Sequence, residues 1–225
     1  MTATSEAITA RQFKDAPGAE DWRVLADGAY AYFGTDSFTA SARLAMAIAE
    51  MTEDGGHPPD VDIRPGGVTV RLITITDETF GMSTHDVELA RGISAAARDQ
   101  GLSADPSAVQ TLLVIPGAKV TAEVMPFWQA ALGYERRPDS PDEDLIDPSG
   151  RGPAFWFEPM DEPRPDGGGA IHVGIFVPYE QAEARVAAAL AAGGRLVRDQ
   201  FAPAWWTLAD AAGNEADIAT TERGE

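Results

Sequence analysis

Three histidines are the side chains of this sequence that best suit proton transfer near neutral pH: His57, His85 and His172. An imidazole donates and accepts protons at physiological pH, so it can act as a general acid or as a general base. The sequence has no cysteine, which excludes disulfides, thiol nucleophiles and zinc held by thiolates. Catalysis would therefore depend on histidine and on nearby carboxylates.

The elements that must position His57 are two hairpins and two long helices. Asp27-Gly28 and Pro65-Gly66-Gly67 are turn signals between strand-like runs. The predicted strands are Trp22–Ala26, Ala29–Gly34, Val61–Arg64 and Val68–Thr76, and the predicted helices are Ile8–Phe13, Phe38–Met51 and one that begins at the Ser83-x-x-Asp86 cap. This order predicts an α+β fold, a four-stranded antiparallel sheet with helices on one face.

The segment around His57 resembles the pterin-4a-carbinolamine dehydratase family. Glu53 precedes His57 by four residues, and Pro59-Asp60 and two strands follow it. The resemblance covers about residues 1–102 and implies a hydro-lyase, a lyase that removes water from 4a-hydroxytetrahydrobiopterin. It also implies that the protein forms oligomers. The implied catalytic residues are His57 and Glu53, and the implied pterin contacts are Pro58, Pro59, Asp60, Thr74, Ile75 and Thr76.

Two of the three histidines that the resemblance implies are replaced. The family pattern has His-His-Pro at the turn and a further histidine at the end of the next strand; Pro58 and Ile75 stand at the second and third positions. His57 is either a retained pocket residue or a structural turn residue, and His85 is predicted to be a solvent-exposed residue in the first turn of its helix. Since neither proline nor isoleucine transfers a proton, we expect weakened or lost catalysis.

An internal repeat occupies the second half of the chain. Thr111 and His172 are 61 positions apart, as are Gly133 and Gly194. The predicted strands are Gln110–Ile115, Tyr134–Arg137, Asp144–Ile146 and Ala154–Glu158, then Ile171–Val177, Arg195–Asp199, Trp205–Ala209 and Glu215–Ala219, and the predicted helices end at Leu132 and span Tyr179–Ala192. Two β-α-β-β-β modules follow from this order. Proline disrupts helix interiors, so the first helix is expected to begin close to Pro126.

The repeat resembles the vicinal-oxygen-chelate superfamily, which includes glyoxalases and ring-cleaving dioxygenases, over about residues 108–220. The matching segments are Phe127-Trp-Gln-Ala-Ala-Leu-Gly133, Ile171-His172-Val and Ala209-Asp-Ala-Ala-Gly213-Asn214. The resemblance implies that the paired modules form a cupped barrel. In active relatives it implies a metal held by side chains from the first and last strands of both modules.

Only half of those implied ligand positions hold a good ligand. His172 and Asp217 fill two, and the residues 61 positions earlier are Thr111 and Trp156. Gln110 or Glu158 would contribute only if the strand register differed from this spacing. The prediction is therefore no metal and no other cofactor, with His172, Trp156 and Asp217 lining a pocket for a small, planar ligand.

Charge and composition narrow the possible partners. The chain has 225 residues and a formal net charge of −19, so a phosphate backbone or an acidic membrane surface is not an expected partner. No apolar run is long enough for a transmembrane helix and no signal peptide is visible, which favours a cytoplasmic location. The loop from Gly101 to Ser107 is the predicted boundary between domains at 1–103 and 108–225.

Three functions remain open from the sequence. The first is a dehydratase-like enzyme with weakened catalysis. The second is a small-molecule-binding protein that uses the cup of the second domain. The third is a metal-dependent glyoxalase or dioxygenase. A ligand screen with pterins separates the first from the others, and metal content separates the third.

Overall fold

The computed structural model describes residues 6–52, 57–76, 79–160, 171–209 and 215–222, with the side chains of residues 127 and 131 excepted. The chain divides into two compact units, residues 1–109 and 110–225. Among the described residues, no helix has the length and apolar character needed to cross a membrane.

Within the described residues, the first unit contains two antiparallel sheets and three α-helices. Its elements are β1 (Ala7–Ile8), α1 (Ala10–Lys14), β2 (Arg23–Leu25), β3 (Gly28–Gly34), α2 (Phe38–Met51), β4 (Asp60–Arg64), β5 (Gly67–Leu72), β6 (Thr74–Ile75), β7 (Phe80–Ser83) and α3 (Thr84–Asp99). The larger sheet has the order β2-β3-β5-β4 and the smaller one the order β1-β7-β6. The four-stranded antiparallel sheet and its helices are as predicted.

The core of this unit lies between the four-stranded sheet and the two long helices. Alternate residues of β3 and β5 are buried, and they meet buried residues of α2 and α3. The main contributors are Ala29, Ala31, Phe33, Val68, Val70, Leu72, Leu44, Ile48, Ala90 and Ile93. A sheet that packs against helices buries every second residue of its strands and one stripe of each helix, and this unit shows both patterns.

The small sheet corrects the sequence reading. The sequence pattern predicts no strand between Thr76 and the helix cap at Ser83, but Phe80–Ser83 form β7, which pairs with β6 on one side and with β1 on the other. The pairing of Ala7 with Ser83 joins distant parts of the chain. No local pattern could have predicted it. This sheet places Thr74 beside the start of α3.

The second unit contains the two predicted modules. The first has β8 (Thr111–Ala118), α4 (Thr121–Leu132), β9 (Glu135–Arg136), β10 (Asp144–Ile146), β11 (Ala154–Trp156) and β12 (Glu158–Pro159). The second has β13 (Ile171–Phe176), α5 (Tyr179–Ala191), β14 (Arg195–Arg198), β15 (Trp205–Ala209) and β16 (Glu215–Ala219).

These strands form one nine-stranded sheet with the order β14-β15-β16-β13-β8-β11-β10-β9, and β12 also pairs with β8. The order is symmetrical about the antiparallel β8–β13 pair, and in both modules the last strand lies parallel to the first. The paired modules are as predicted, but the described strands form an open sheet and not a closed barrel.

Each helix covers a small apolar core on one face of this sheet. Phe155 and Phe157 are buried with Met125 of α4, while Leu208 and Ile218 are buried against α5. Because neighbouring strand residues point to opposite faces, Trp156, Glu158, His172 and Asp217 lie on the other face. We call this second face the open face.

Helix α4 differs from the sequence expectation at Pro126. The helix begins at Thr121, so Pro126 is inside it and not in its first turn. The proline side chain is exposed, so its ring makes no demand on the core. The helix ends at Gly133, whose φ of 70° is a left-handed conformation that glycine adopts at little cost.

Candidate functional site

The centre of the first unit's site is a hydrogen-bonded pair, His57 and Asp86. His57 Nε2 lies 2.9 Å from Asp86 Oδ1. The Asp86 side chain is fully buried, whereas that of His57 is 34% exposed. His57 lies just before β4, and Asp86 lies in the first turn of α3. The pair therefore joins the turn between α2 and β4 to the third helix.

Short hydrogen bonds fix the second oxygen of Asp86. The backbone N–H of Ser83 donates to Oδ2 at 2.7 Å, and the Ser83 hydroxyl donates at 2.9 Å. The hydroxyl of Thr74 donates to the same oxygen at 2.7 Å and lies 3.5 Å from His57 Nε2. The carboxylate is therefore satisfied on both oxygens, as a buried charge requires.

The pair shifts the protonation of both members. The hydrogen bond to Asp86 is the largest influence on His57 and raises its pKa, although burial opposes the change. For Asp86, burial disfavours the charge, but the hydrogen bonds from His57, Thr74 and Ser83 outweigh it and lower the pKa. Each group of the pair thus favours the charged form of the other.

The position of His85 corrects the expectation that it is solvent-exposed. It is in the first turn of α3, as predicted, but it is only partly exposed. Its ring packs edge-on against that of His57, with ring centroids 5.7 Å apart. Its Nε2 is buried and has no hydrogen-bond partner among the described residues. His85 therefore belongs to the same cluster as His57.

The other residues predicted to contact the pterin differ in whether they belong to this cluster and in how exposed they are. Thr74 is part of it, while Pro58 and Thr76 are exposed and Pro59 is partly exposed. Ile75 is 45% exposed on β6. Asp60 forms an ion pair with Arg71 across β4 and β5, with 2.9 Å between Oδ2 and Nε. Glu53, the second predicted catalytic residue, lies outside the described residues.

The roles of Asp86 and Ser83 in this site do not follow from the sequence pattern. A Ser-x-x-Asp cap is a common helix start and by itself indicates only a cap. The cap does form, because Asp86 accepts the Ser83 N–H. The same carboxylate also binds His57. The signal that could have indicated this role is an acidic cap residue that directly follows His85 and lies near the family's histidine position now held by Ile75.

The second unit has its own charged cluster on the open face. His172 Nδ1 lies 2.8 Å from Asp217 Oδ2, and His172 Nε2 lies 3.0 Å from Glu158 Oε2. The hydroxyl of Thr207 donates to Asp217 Oδ1 at 2.6 Å. His172 and Asp217 are almost fully buried, whereas Glu158 is 39% exposed.

The two carboxylates determine the charge of His172. Burial by itself would lower the pKa of this imidazole, but the hydrogen bonds and negative charges of Asp217 and Glu158 raise it to about 9. His172 is thus an imidazolium at neutral pH. The cluster combines the imidazolium of His172 with the carboxylates of Asp217 and Glu158. His172 and Asp217 form a buried ion pair, and the carboxylate of Glu158 reaches solvent.

The register explains why Glu158, and not Trp156, meets His172. Leu113 and Gly174 pair across β8 and β13, and their parallel neighbours are Ala154 and Asp217. Ala154 therefore takes the place in the first module that a constant spacing of 61 assigned to Trp156. Glu158 lies farther along, beside Gly117.

The other residues named from the repeat do not join this cluster. Gln110 accepts a hydrogen bond from Arg185 of α5 at 3.1 Å. Trp156 is partly buried and lies opposite Asp144 in the neighbouring strand. Thr111 is partly buried at the start of β8. None of the three has a described contact with His172.

These residues do not fit a resident metal ion. His172 Nε2 and Glu158 are two donors that could face one cation, because Asp217 binds the other nitrogen of His172. Catalytic zinc takes three protein ligands. Within the described ranges, no group of three or more His, Cys, Asp or Glu side chains is arranged to hold a metal.

Comparisons with known proteins match each unit separately. The family model "Pterin 4 alpha carbinolamine dehydratase" matches residues 2–96, and the model "Glyoxalase-like domain" matches residues 113–219. Two solved structures each cover about half of this chain at low similarity. One is an NAD-dependent benzaldehyde dehydrogenase from Legionella pneumophila, with TM-score 0.37 and 13% identity over 49% of this chain and 99% of that one. The other is a glyoxalase/bleomycin resistance protein/dioxygenase superfamily member from Vibrio splendidus, with TM-score 0.34 and 15% identity over 50% of this chain and 99% of that one.

Two curated relatives carry the name "Putative pterin-4-alpha-carbinolamine dehydratase". The protein from Nocardia farcinica is 37% identical over 78 residues, which are 35% of this chain and 80% of the relative. The protein from Chloroflexus aurantiacus is 32% identical over 93 residues, which are 41% of this chain and 95% of the relative. Through its first unit this chain belongs to the pterin-4a-carbinolamine dehydratase family, and its second unit is similar to the glyoxalase-like domain model.

Proposed function

We propose that the first unit binds 4a-hydroxytetrahydropterins and removes water from them at a reduced rate. The observation that carries this proposal is the hydrogen-bonded pair of His57 and Asp86. The pair favours the imidazolium form of a partly exposed histidine, while its carboxylate is buried and accepts hydrogen bonds from three further donor groups. Such an imidazolium can bind the substrate and donate a proton to it.

The reaction needs one proton donated and one removed. The C4a–O bond breaks as its electron pair moves to oxygen, which takes a proton from an acid and leaves as water. A base removes the proton from N5, and the N5 lone pair forms the N5–C4a double bond. His57 suits the acid role, because its hydrogen bonds to Asp86 and Thr74 both use Nε2 and leave Nδ1 for the substrate.

The reduced rate follows from two replaced positions. Pro58 and Ile75 stand where the family pattern has histidine, and both side chains are exposed. A positioned acid or base typically contributes about 10²–10⁴-fold to the rate. Pro58 and Ile75 supply neither, so we expect slow turnover with pterin binding retained.

Restoring the histidines tests this function. Stopped-flow dehydration of 4a-hydroxytetrahydropterin is measured for the wild type, Pro58→His, Ile75→His and the double variant. We expect kcat to rise most in the double variant, because such groups act together. Glu88→Gln, an exposed change on α3, is the matched control. A wild type that neither binds pterin nor turns it over contradicts the proposal.

A second function is supported by the open face of the second unit. There Glu158 presents a carboxylate to solvent beside the buried His172–Asp217 pair, with Trp156 on the same face. We propose a binding site for a small planar molecule, with no metal. A thermal-shift screen of the intact protein with pterins and dicarbonyl adducts tests it. Protection that survives Glu158→Ala and Trp156→Ala argues against this site.

We also propose that the protein acts in the cytoplasm as a homo-oligomer. Helix α2 presents Phe38 and Met46, each 61% exposed, and Met51, 37% exposed. Large apolar side chains grouped on one helix are typical of a surface that a second copy covers. The mass in solution is the measurement that bears on this assembly.

A further inference from the structure

We infer that His85 is the second proton-transfer group of the first unit's site, the base that accepts the N5 proton while His57 protonates the leaving hydroxyl. This inference rests on the proposed dehydratase function and adds a residue to it. It assigns the base role to a side chain on α3, away from both positions where the family pattern would place a further histidine.

The first support is the placement of the two rings. The centroids of His57 and His85 are 5.7 Å apart with an angle of 71° between the planes. The C4a and N5 atoms of a pterin are bonded to each other. The acid and the base therefore act on neighbouring atoms and must lie close together. Two imidazoles in edge-on contact meet that condition. Pro58 and Ile75 cannot supply a base, whatever their position.

The second support is the state of the His85 nitrogens. Nε2 is buried and has no hydrogen-bond partner among the described residues. A buried polar atom without a partner costs about 1–3 kcal/mol, so such an atom in a native site calls for an explanation. A ligand N–H that displaces the atoms now covering this nitrogen would provide the missing bond.

The third support is the division of charge in the cluster. Asp86 lies next to His85 in the sequence but bonds to His57. That carboxylate stabilises one imidazolium, on His57. His85 Nε2 has no carboxylate partner among the described residues. The two rings therefore differ in their partners, and the ring without a carboxylate is the one that we assign to accept a proton.

Two substitutions at His85 separate proton transfer from packing. His85→Gln keeps a nitrogen near the position of Nε2 but cannot exchange a proton. His85→Phe keeps the ring that packs against His57 but has no nitrogen. Glu88→Gln, exposed on the same helix, is the control.

The variants are compared by stopped-flow dehydration over a range of pH. We expect kcat to fall about 10²-fold in both His85 variants, with KM and pterin affinity within about threefold of wild type. The limb of the kcat profile that reports the base should disappear in both. His57→Gln combined with His85→Gln should lose little more than either change alone, because the two groups act as a unit.

The outcomes separate this inference from the proposed function. If wild type turns over and either His85 variant keeps its full kcat and both limbs of the profile, the His85 assignment is wrong and the dehydratase proposal stands. If the two variants differ, with only one losing activity, the role of His85 is structural. If wild type neither binds nor dehydrates the pterin, both proposals fail.

Discussion

Asp86 is a buried carboxylate that forms a hydrogen-bonded pair with the partly exposed imidazole of His57. It accepts hydrogen bonds from His57, Thr74 and Ser83. Removal of its charge leaves four donor groups, two of them on Ser83, facing a weaker acceptor. The loss of this charge should therefore change the pKa of His57 more clearly than it changes the folded structure.

Asp86→Asn should lower the pKa of His57, because the hydrogen bond and the negative charge that raise it are both lost. Proton NMR titration of the three histidines measures this change. The unfolding free energy should fall by about 1–3 kcal/mol, measured by urea denaturation. The control is Glu88→Gln. A His57 titration that is unchanged in Asp86→Asn would show that the pair does not form.

The stability contributed by this pair should have two pH limits. The folded pKa of His57 is raised above 6.5, so its contribution is complete below that value and is lost as pH rises through the folded pKa. The folded pKa of Asp86 is lowered below 3.8, so its contribution is present above that value and is lost as pH falls through the folded pKa. Asp86→Asn should remove both dependences.

His172 predicts a second pH dependence, on the alkaline side. Its pKa is raised from 6.5 to about 9, so the stabilisation is complete below pH 6.5 and is lost as pH rises to about 9. At a conversion of about 1.4 kcal/mol per pH unit, the effect is on the order of 3 kcal/mol. Urea denaturation at pH 6.5 and pH 9.5 measures it.

Asp217→Asn should remove most of this alkaline loss, because it takes away the buried partner of His172. The variant should be less stable than wild type at pH 6.5 and nearly equal to it at pH 9.5. Glu183→Gln, on the exposed side of α5, is the control. Equal pH dependence in Asp217→Asn and wild type would mean that His172 is not held as an imidazolium.

At the scale of elements, helix α4 contains a proline that lowers its stability without contributing to the core. Pro126 is exposed inside the helix, so it removes one backbone hydrogen bond without filling the core. Pro126→Ala restores the donor, and alanine is the best helix former. We expect a gain of about 1–2 kcal/mol, less than the full helix preference because proline also restricts the unfolded chain.

Thermal and urea denaturation measure this gain. Ala130→Gly, later in the same helix, should change stability in the opposite direction by about 1 kcal/mol. A loss of stability in Pro126→Ala would indicate that the proline sets a bend on which the packing of Met125 and Phe157 depends.

Local sequence predicted most of the elements but not the pairings between distant segments. The bounds of α2, β10, β15 and β16 follow from hydrophobic period and turn residues. Strand β7 was missed; its local partner β6 has only two residues, and its other partner β1 lies far away in the sequence. The same limit explains Glu158: the repeat spacing of 61 predicted Trp156, and only the register of β11 and β12 places Glu158 against His172.

The candidate site of the first unit was predictable only in part. The resemblance identified His57 and Thr74, since motif spacing preserves such positions. The contact between His57 and His85 depends on how α3 docks beside the turn that holds His57. That docking is set by the core around Ile93 and Leu89, which no short motif records.

At the scale of the whole molecule, the net charge and the exposed face of α2 act against each other. The charge of −19 repels a second copy, and the apolar side chains of Phe38 and Met46 favour contact with one. Added salt screens the repulsion, with a Debye length of about 8 Å at physiological ionic strength. Association should therefore strengthen as salt is raised.

Light scattering at micromolar concentration should give at least twice the chain mass of 23.8 kDa. Met46→Glu combined with Phe38→Ser should reduce the mass to that of one chain, because both changes place polar groups on the face of α2. Glu50→Gln, exposed on the same helix, is the control. A wild-type mass near 23.8 kDa at every salt concentration rules out this assembly.

The symmetrical sheet of the second unit has a consequence for the order of folding. Its central pair joins Thr111 to Phe176 and Pro116 to Ile171, so the first strand of one module must wait for the first strand of the other. In the first unit, β2 and β3 pair through a short turn, as do β4 and β5, and among its described strands the two-residue strand β1 must also wait for the distant β7. Distant pairings are entropically costly to begin and slow the search for the native state. During synthesis the leading unit can acquire its core early, while the trailing one exposes the edge of β8 until its second half has been made.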